Sequence, residues 1–209
     1  MERTSDPRLL DWLRDPMHGG DEVTGFDATG WEASIWILHA MYEHERPPAR
    51  QGGPGPGRHR VRWSDLARRL DIDPFEGSRP PSYRSFLSRW PELLAAASEG
   101  ELLSWELERL VDHLVEATSG REDARCVVLY SAIYANTPDE LVLFRAELKE
   151  LVHLPDATGI PGPCNLWPDD RSWFVYTDND LWGTKVSGSA ELVAALRGDS
   201  ELETSSLGF

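Results

Sequence analysis

Four side chains early in the chain have the types and spacing to do chemistry. Glu32, Trp36, His39 and Glu43 follow one another at intervals of 4, 3 and 4, which on a helix lines them up in one stripe. Two carboxylates flanking an imidazole can hold a metal ion or run acid–base catalysis. An ordinary structural account competes with this one. Thr29 and Glu32 have the spacing of a capping box, which would use Glu32 on backbone amides, leave Glu43 in solvent and give His39 one hydrogen bond.

Three further stretches carry candidate chemistry. Asp178-Asn179-Asp180, with Gly183 three residues on, matches positions 1, 3 and 6 of a calcium loop. Trp182 then takes position 5 and Ser189 takes position 12, where a glutamate belongs, so a plain hairpin turn is expected and no metal site. The run Trp167-Pro168-Asp169-Asp170-Arg171-Ser172-Trp173, with Trp182 on the next strand, is the strongest recognition candidate. Exposed aromatics supply contact area at low entropic cost, and acids beside them select basic partners. The competing account makes Trp173 and Trp182 core neighbours across two strands. Finally, Arg58 to Arg89 holds eight arginines against Asp65, Asp71, Asp73 and Glu76. Arg68 and Arg69 could touch DNA from the opening helix of a helix-turn-helix, but Pro74, Gly77, Pro80 and Pro81 occupy the place of the recognition helix.

The other motifs of cofactor and nucleophile chemistry are not met. The glycines of 52–57 lack the Lys-Ser/Thr of a phosphate loop, and His44-Glu45 runs into Arg-Pro-Pro, which breaks the helix a zinc-protease motif needs. There is no Gly-x-Ser-x-Gly elbow. No cofactor is expected. Cys126 and Cys164 form no CxxC pair and are expected to be reduced thiols.

These residues need elements to position them. A short amphipathic turn holds Leu9, Leu10, Trp12 and Leu13. The capping box at Thr29 and the spacing of Trp31, Ile35, Leu38 and Tyr42 predict a central helix, stopped by Pro47 and Pro48. Residues 46–60, rich in Gly and Pro, read as a flexible loop. Helices are expected after Ser64 and Ser82, over Leu93 to Ala97, and over Leu102 to Val115. Beyond Gly120 the chain changes character. Cys126 to Tyr134 reads as a buried strand, Thr137, Pro138 and Glu140 open a helix through Leu141, Leu148 and Leu151, and a proline-rich loop follows. Trp173 to Thr177 and Trp182 to Ser187 read as a hairpin, Ser189 caps a last helix, and the tail from Glu203 is an edge strand. The expected fold is α+β: a mostly helical region 1–120 packed with a β-α-β-β-α region 121–209 on a small mixed or antiparallel sheet, sharing one core.

Charge bounds the function. Against 21 Lys and Arg stand 36 Asp and Glu, a net charge of −15. That balance disfavours nucleic-acid and anionic-membrane binding and favours a basic partner. No stretch approaches the roughly 20 apolar residues of a membrane span, and the polar N-terminus is not a signal peptide, so a cytoplasmic protein is expected. The leading reading is an acidic protein-binding protein, with an immunity- or antitoxin-like inhibitor of a basic protein as its specific form. Its rival is an enzyme with a composite site around His39 and the Asp169–Asp180 loops, with Tyr130 and Tyr134 as further candidates. A DNA-binding regulator using Arg58–Arg89 is a third. The sequence leaves open whether any enzymatic activity exists.

Overall fold

The structure, a computed structural model, describes residues 1–13, 29–45, 57–75, 80–86, 90–130, 142–154 and 165–206. Strand β1 (Glu2–Thr4) precedes a 3-10 turn at Pro7–Leu13. Then come β2 (Ala33–Leu38), β3 (Met41–His44), β4 (Arg58–Val61), helix α1 (Trp63–Leu70), a 3-10 turn at Tyr83–Phe86 and β5 (Leu94–Ala95). Helix α2 (Ser104–Ala117) leads to β6 (Arg125–Tyr130), and β7 (Val142–Glu147) runs into a 3-10 turn at Leu148–His153. The chain continues with β8 (Asn165–Pro168), β9 (Phe174–Tyr176), β10 (Gly183–Gly188), α3 (Ala190–Gly198) and β11 (Thr204–Ser205).

Strand therefore dominates. Eight strands pair in the order β1-β7-β6-β8-β9-β10-β2-β11, and β4-β3-β5 make a second sheet of three. Every pairing in both is antiparallel. The expected helical N-terminal half is overturned. The segment expected to be its central helix is β2 and β3, and Leu93 to Ala97 contains β5 instead of a helix.

Burial explains the misreading of β2. In a sheet covered on both sides, successive side chains are buried alternately above and below, so the strand is a continuous apolar run with no visible alternation. Ile35 and Ile37 enter the core under α2 and α3, while Trp36 and Leu38 enter a second core with α1 and the small sheet. The two β-branched isoleucines suit strand better than helix. The helix expected through Leu141 to Leu151 fails likewise, since Val142–Glu147 pairs with β1 on one side and β6 on the other. Its proposed capping box at Thr137 and Glu140 lies outside the described residues, as do residues 46–56 of the expected loop, Tyr134 and Cys164.

Three apolar clusters of buried side chains lie among the described residues. The largest lies between one face of the eight-stranded sheet and α2, α3 and the Leu148–His153 turn. On the opposite face, the Pro7–Leu13 turn covers β6 to β9 through Leu10 and Leu13. The three-stranded sheet and α1 cover the β10–β2 end of that face. Strands from both sides of residue 120 share the large sheet. No helix among the described residues is long and apolar enough to cross a membrane.

Of the elements expected beyond Leu102, α2, β6, β9, β10, α3 and β11 stand close to where the sequence puts them. Ser189 caps α3 by accepting from Leu192 N at 3.2 Å. At α1 the cap is Arg62, with no side-chain hydrogen bond. The Glu203 carboxylate meets that helix start instead, accepting from Trp63 N at 2.8 Å and Ser64 N at 2.9 Å. A carboxylate there suits the positive end of the helix dipole and ties β11 to the small sheet's helix.

Candidate functional site

The four residues expected in one helical stripe are spread along a strand, a link and a second strand. Glu32 precedes β2 and does cap a helix, though not its own: its Oε2 accepts from Ala190 N at 3.0 Å, at the start of α3. Trp36 is 1% exposed in the core. His39 sits in the link where the chain leaves the large sheet for the small one. Glu43, on β3, makes a two-pronged ion pair with Arg69 on α1 at 2.8 and 2.9 Å, and this guanidinium holds its carboxyl below the usual range.

The link Leu38–Met41 is pinned from several sides. His39 is fully buried, with Nδ1 2.7 Å from Ser98 O and Nε2 2.9 Å from Thr184 Oγ1. A carbonyl can only accept, so Nδ1 carries the proton and neutral Nε2 accepts from the threonine hydroxyl. Burial drives the His39 pKa down to about 4. One residue on, Ala40 N donates to Glu106 Oε1 at 2.9 Å, and Leu103 N donates to Glu106 Oε2 at 3.0 Å. Burial pushes the Glu106 carboxyl up to about 7. Trp63 Nε1 donates to His39 O at 2.9 Å. Each of these polar atoms is satisfied inside the chain, which makes this a junction holding two sheets together.

The Asp178–Asp180 turn packs close by. Gly100, at φ +68°, approaches so closely that a Cβ there would lie 2.8 Å from Asn179 Cα. The 98–100 segment thus lies between His39 and this turn. Burial raises the Asp178 pKa. Among the described residues, no group of three His, Cys, Asp or Glu is placed to hold a metal ion.

The 167–173 run is partly turned inward. Trp167 and Trp173 are 2% and 1% exposed and enter clusters on opposite faces of the large sheet, and Trp182 is 3% exposed in the core beneath the small sheet. Trp173 and Trp182 are therefore neither a surface pair nor cross-strand neighbours. Asp169 pairs with Arg145 at 2.5 Å, and Asp170 Oδ1 accepts from Ser172 N at 3.0 Å across the turn.

The outward part of that run, Arg171 and Ser172, forms one wall of an open groove of about 470 Å³. Trp12, Trp31, Glu32 and Ser189 are in the other walls. This size falls in the range of small-ligand sites. Trp31 stacks on Phe174 with centroids 5.2 Å apart and donates from Nε1 to Arg171 O at 2.9 Å. Trp12 meets Trp31, Trp167 and Phe174 edge to face. The Arg171 guanidinium lies over the Trp12 ring at 4.9 Å from its centroid, with no carboxylate partner among the described residues. Sequence reasoning quoted Arg171 and considered Glu32, but missed Trp12 and Trp31. No local pattern could have joined residues 12, 31 and 171; only the sheet does.

The arginines of the 58–89 stretch that are described mostly have structural partners. Arg60 and Arg62 donate to the backbone carbonyls of Glu201 and Ser200, Arg68 pairs with Asp65, and Arg69 with Glu43. A different surface concentrates charge. Glu108, Asp112 and Glu116 line the outer face of α2 at intervals of four, all exposed, and exposed Glu122 and Asp123 follow. Arg109 is drawn off that face by Asp199, at 2.6 Å.

Comparison of the chain with family models, with curated proteins and with solved structures finds no match.

Proposed function

We propose that this chain is a cytoplasmic binding protein for a basic protein, acting as an inhibitor or neutraliser of the immunity or antitoxin kind. The observation that carries this reading is the acidic outer face of α2. Glu108 and Glu116 make no ion pair among the described residues, and Arg109, which approaches Asp112 to 3.9 Å, is committed to Asp199. Acids four residues apart on a helix repel one another, so this row costs stability unless something else benefits. A basic partner supplies that benefit, by long-range attraction that speeds encounter and by charge pairing once bound.

The net charge of −15 extends the same field over the whole molecule. A cytoplasmic setting agrees with Cys126, a buried free thiol on β6 whose pKa burial pushes up to about 12. The buried, fully partnered His39–Glu106 junction offers no reacting group to a substrate, so the binding reading is preferred to the enzymatic one.

Charge reversal tests it. The chain and the triple variant Glu108→Lys, Asp112→Lys, Glu116→Lys are each used to capture proteins from the native cell extract at low salt. The expected result is a basic protein retained by the parent chain, released as salt rises and not retained by the variant. Equal retention of the same protein by both, or no salt-sensitive basic partner, rejects the proposal.

A further inference from the structure

We infer that the groove between Trp31 and Arg171 is a binding site for a small organic anion that carries a flat ring. The first ground is the state of Arg171. It is exposed, lies in the groove wall and stacks on Trp12, yet in a chain with a large excess of acids its guanidinium meets no carboxylate among the described residues. Arg69, Arg109 and Arg145 are held by carboxylates, and Arg60 and Arg62 by backbone carbonyls. A guanidinium fixed by stacking on one face keeps its N–H edges directed sideways, in the planar fork that fits a carboxylate or phosphate with two hydrogen bonds.

The second ground is the backbone. Arg171 has φ 56°, the left-handed conformation that glycine or asparagine adopts with least strain. A turn selected only for the fold would favour one of those residues. Asp71 and Ser119 also have positive φ, but Arg171 alone of the three lies over a tryptophan in the groove wall, which gives its side chain a use there.

The remaining walls fit the ring. Trp31 has one face on Phe174 and is only half-buried, so the indole is a rigid aromatic wall backed by a second ring. The Trp12 Nε1–H is buried without a hydrogen-bond partner among the described residues, on a side chain that also lines the groove. Glu32, the one carboxylate among the described residues lining the groove, is turned to the α3 amide of Ala190. An aromatic carboxylate and a nucleoside monophosphate share the required chemistry, a flat ring with an oxyanion.

Isothermal titration of the full chain separates these sources and tests the site. The probes are indole-3-acetate and adenosine monophosphate, with neutral indole and inorganic phosphate as controls. One or both ring anions are expected to bind more tightly than either control, and the tighter of the two identifies the source. Arg171→Gly relieves the left-handed strain, so this variant is expected to stay folded and lose at least about tenfold in ring-anion affinity. Trp31→Ala is expected to lose a similar factor while leaving any phosphate binding unchanged. The triple α2 variant is expected to bind the probes as the parent does, which keeps this result separate from the protein-partner reading. Equal affinity for indole and indole-3-acetate, an unchanged Arg171→Gly variant, or no binding of any probe at millimolar concentration overturns the inference.

Discussion

The junction at His39 and the groove at Arg171 are built from the same kinds of side chain: a cation or imidazole, a glutamate, and tryptophan. They differ in where the polar atoms find partners. At the junction, His39, Glu106 and the Trp63 indole all bond to groups of the chain itself. In the groove, the Arg171 guanidinium lies over an aromatic face and meets no carboxylate among the described residues. Buried polar groups that are fully satisfied hold a structure in one arrangement, whereas an unmatched donor in an open cleft is available to a second molecule. The side-chain types alone do not tell these two situations apart.

The comparison predicts that the junction is sensitive and the groove tolerant. Glu106→Ala leaves the buried Ala40 amide and the part-buried Leu103 amide without their acceptor, at roughly 1–3 kcal/mol for the first and less for the second, so urea unfolding should show a loss of roughly 2–5 kcal/mol. Glu106→Gln keeps an acceptor and should lose less. A loss below about 1 kcal/mol for the alanine variant would mean that water or another donor repairs the site, and the contrast with the groove would fail.

A second test uses pH, because the two junction groups oppose each other. His39 has a folded pKa of about 4 against an ordinary 6.5, so between those values the unfolded chain binds more protons and acid weakens the fold. Glu106 has a folded pKa of about 7 against an ordinary 4.5, so in that window the folded chain binds more protons and stability falls as pH rises. Each shift corresponds to on the order of 3 kcal/mol, with opposite sign. The parent junction should therefore contribute little net slope between about pH 4.5 and 6.5. Glu106→Gln should expose the histidine alone, with stability lost on going from pH 6.5 to 4. His39→Gln should expose the glutamate, with stability lost on going from pH 4.5 to 7. Denaturant midpoints across that range decide it, and parallel profiles for the two variants would break the assignment.

The smallest expected effect belongs to the groove. Arg171→Gly should change stability by no more than about 1 kcal/mol, and toward greater stability, because it removes left-handed strain at a solvent-exposed turn. Measured destabilisation larger than that would make the Trp12 stack a structural clamp and would erase the difference between the two regions.

Much of the second half was legible in the sequence, and the reason is local. Ser189 marks the start of α3 with a side chain that reaches its own helix, and Leu107, Leu110 and Leu114 give α2 its buried stripe. β9 and β10 are separated by a turn at Asp178-Asn179-Asp180 whose composition identifies it. The first half resisted because its signals are tertiary. Thr29 and Glu32 have the spacing of a capping box, but Gly30 at φ +117° follows the threonine and Glu32 caps a helix that begins at Ala190. Ile35-Trp36-Ile37-Leu38 has the density of a helix core because two different cores lie on its two sides. The groove was legible only in fragments, since Trp12, Trp31 and Arg171 meet through strand order that no local spacing encodes.

The place of β2 in the large sheet has a consequence for how this chain comes into being. Both strands beside it, β10 and β11, are made long after it, with Ser34 facing Ser187 and Ile37 facing Thr204. On the ribosome, the Ile-Trp-Ile-Leu run therefore emerges long before any strand exists to pair with it. It is a short, uncharged, strand-forming segment, the sort that adheres to its counterparts on neighbouring nascent chains. Yield in a cell should depend on chaperones that shield this run until β10 and β11 have been translated.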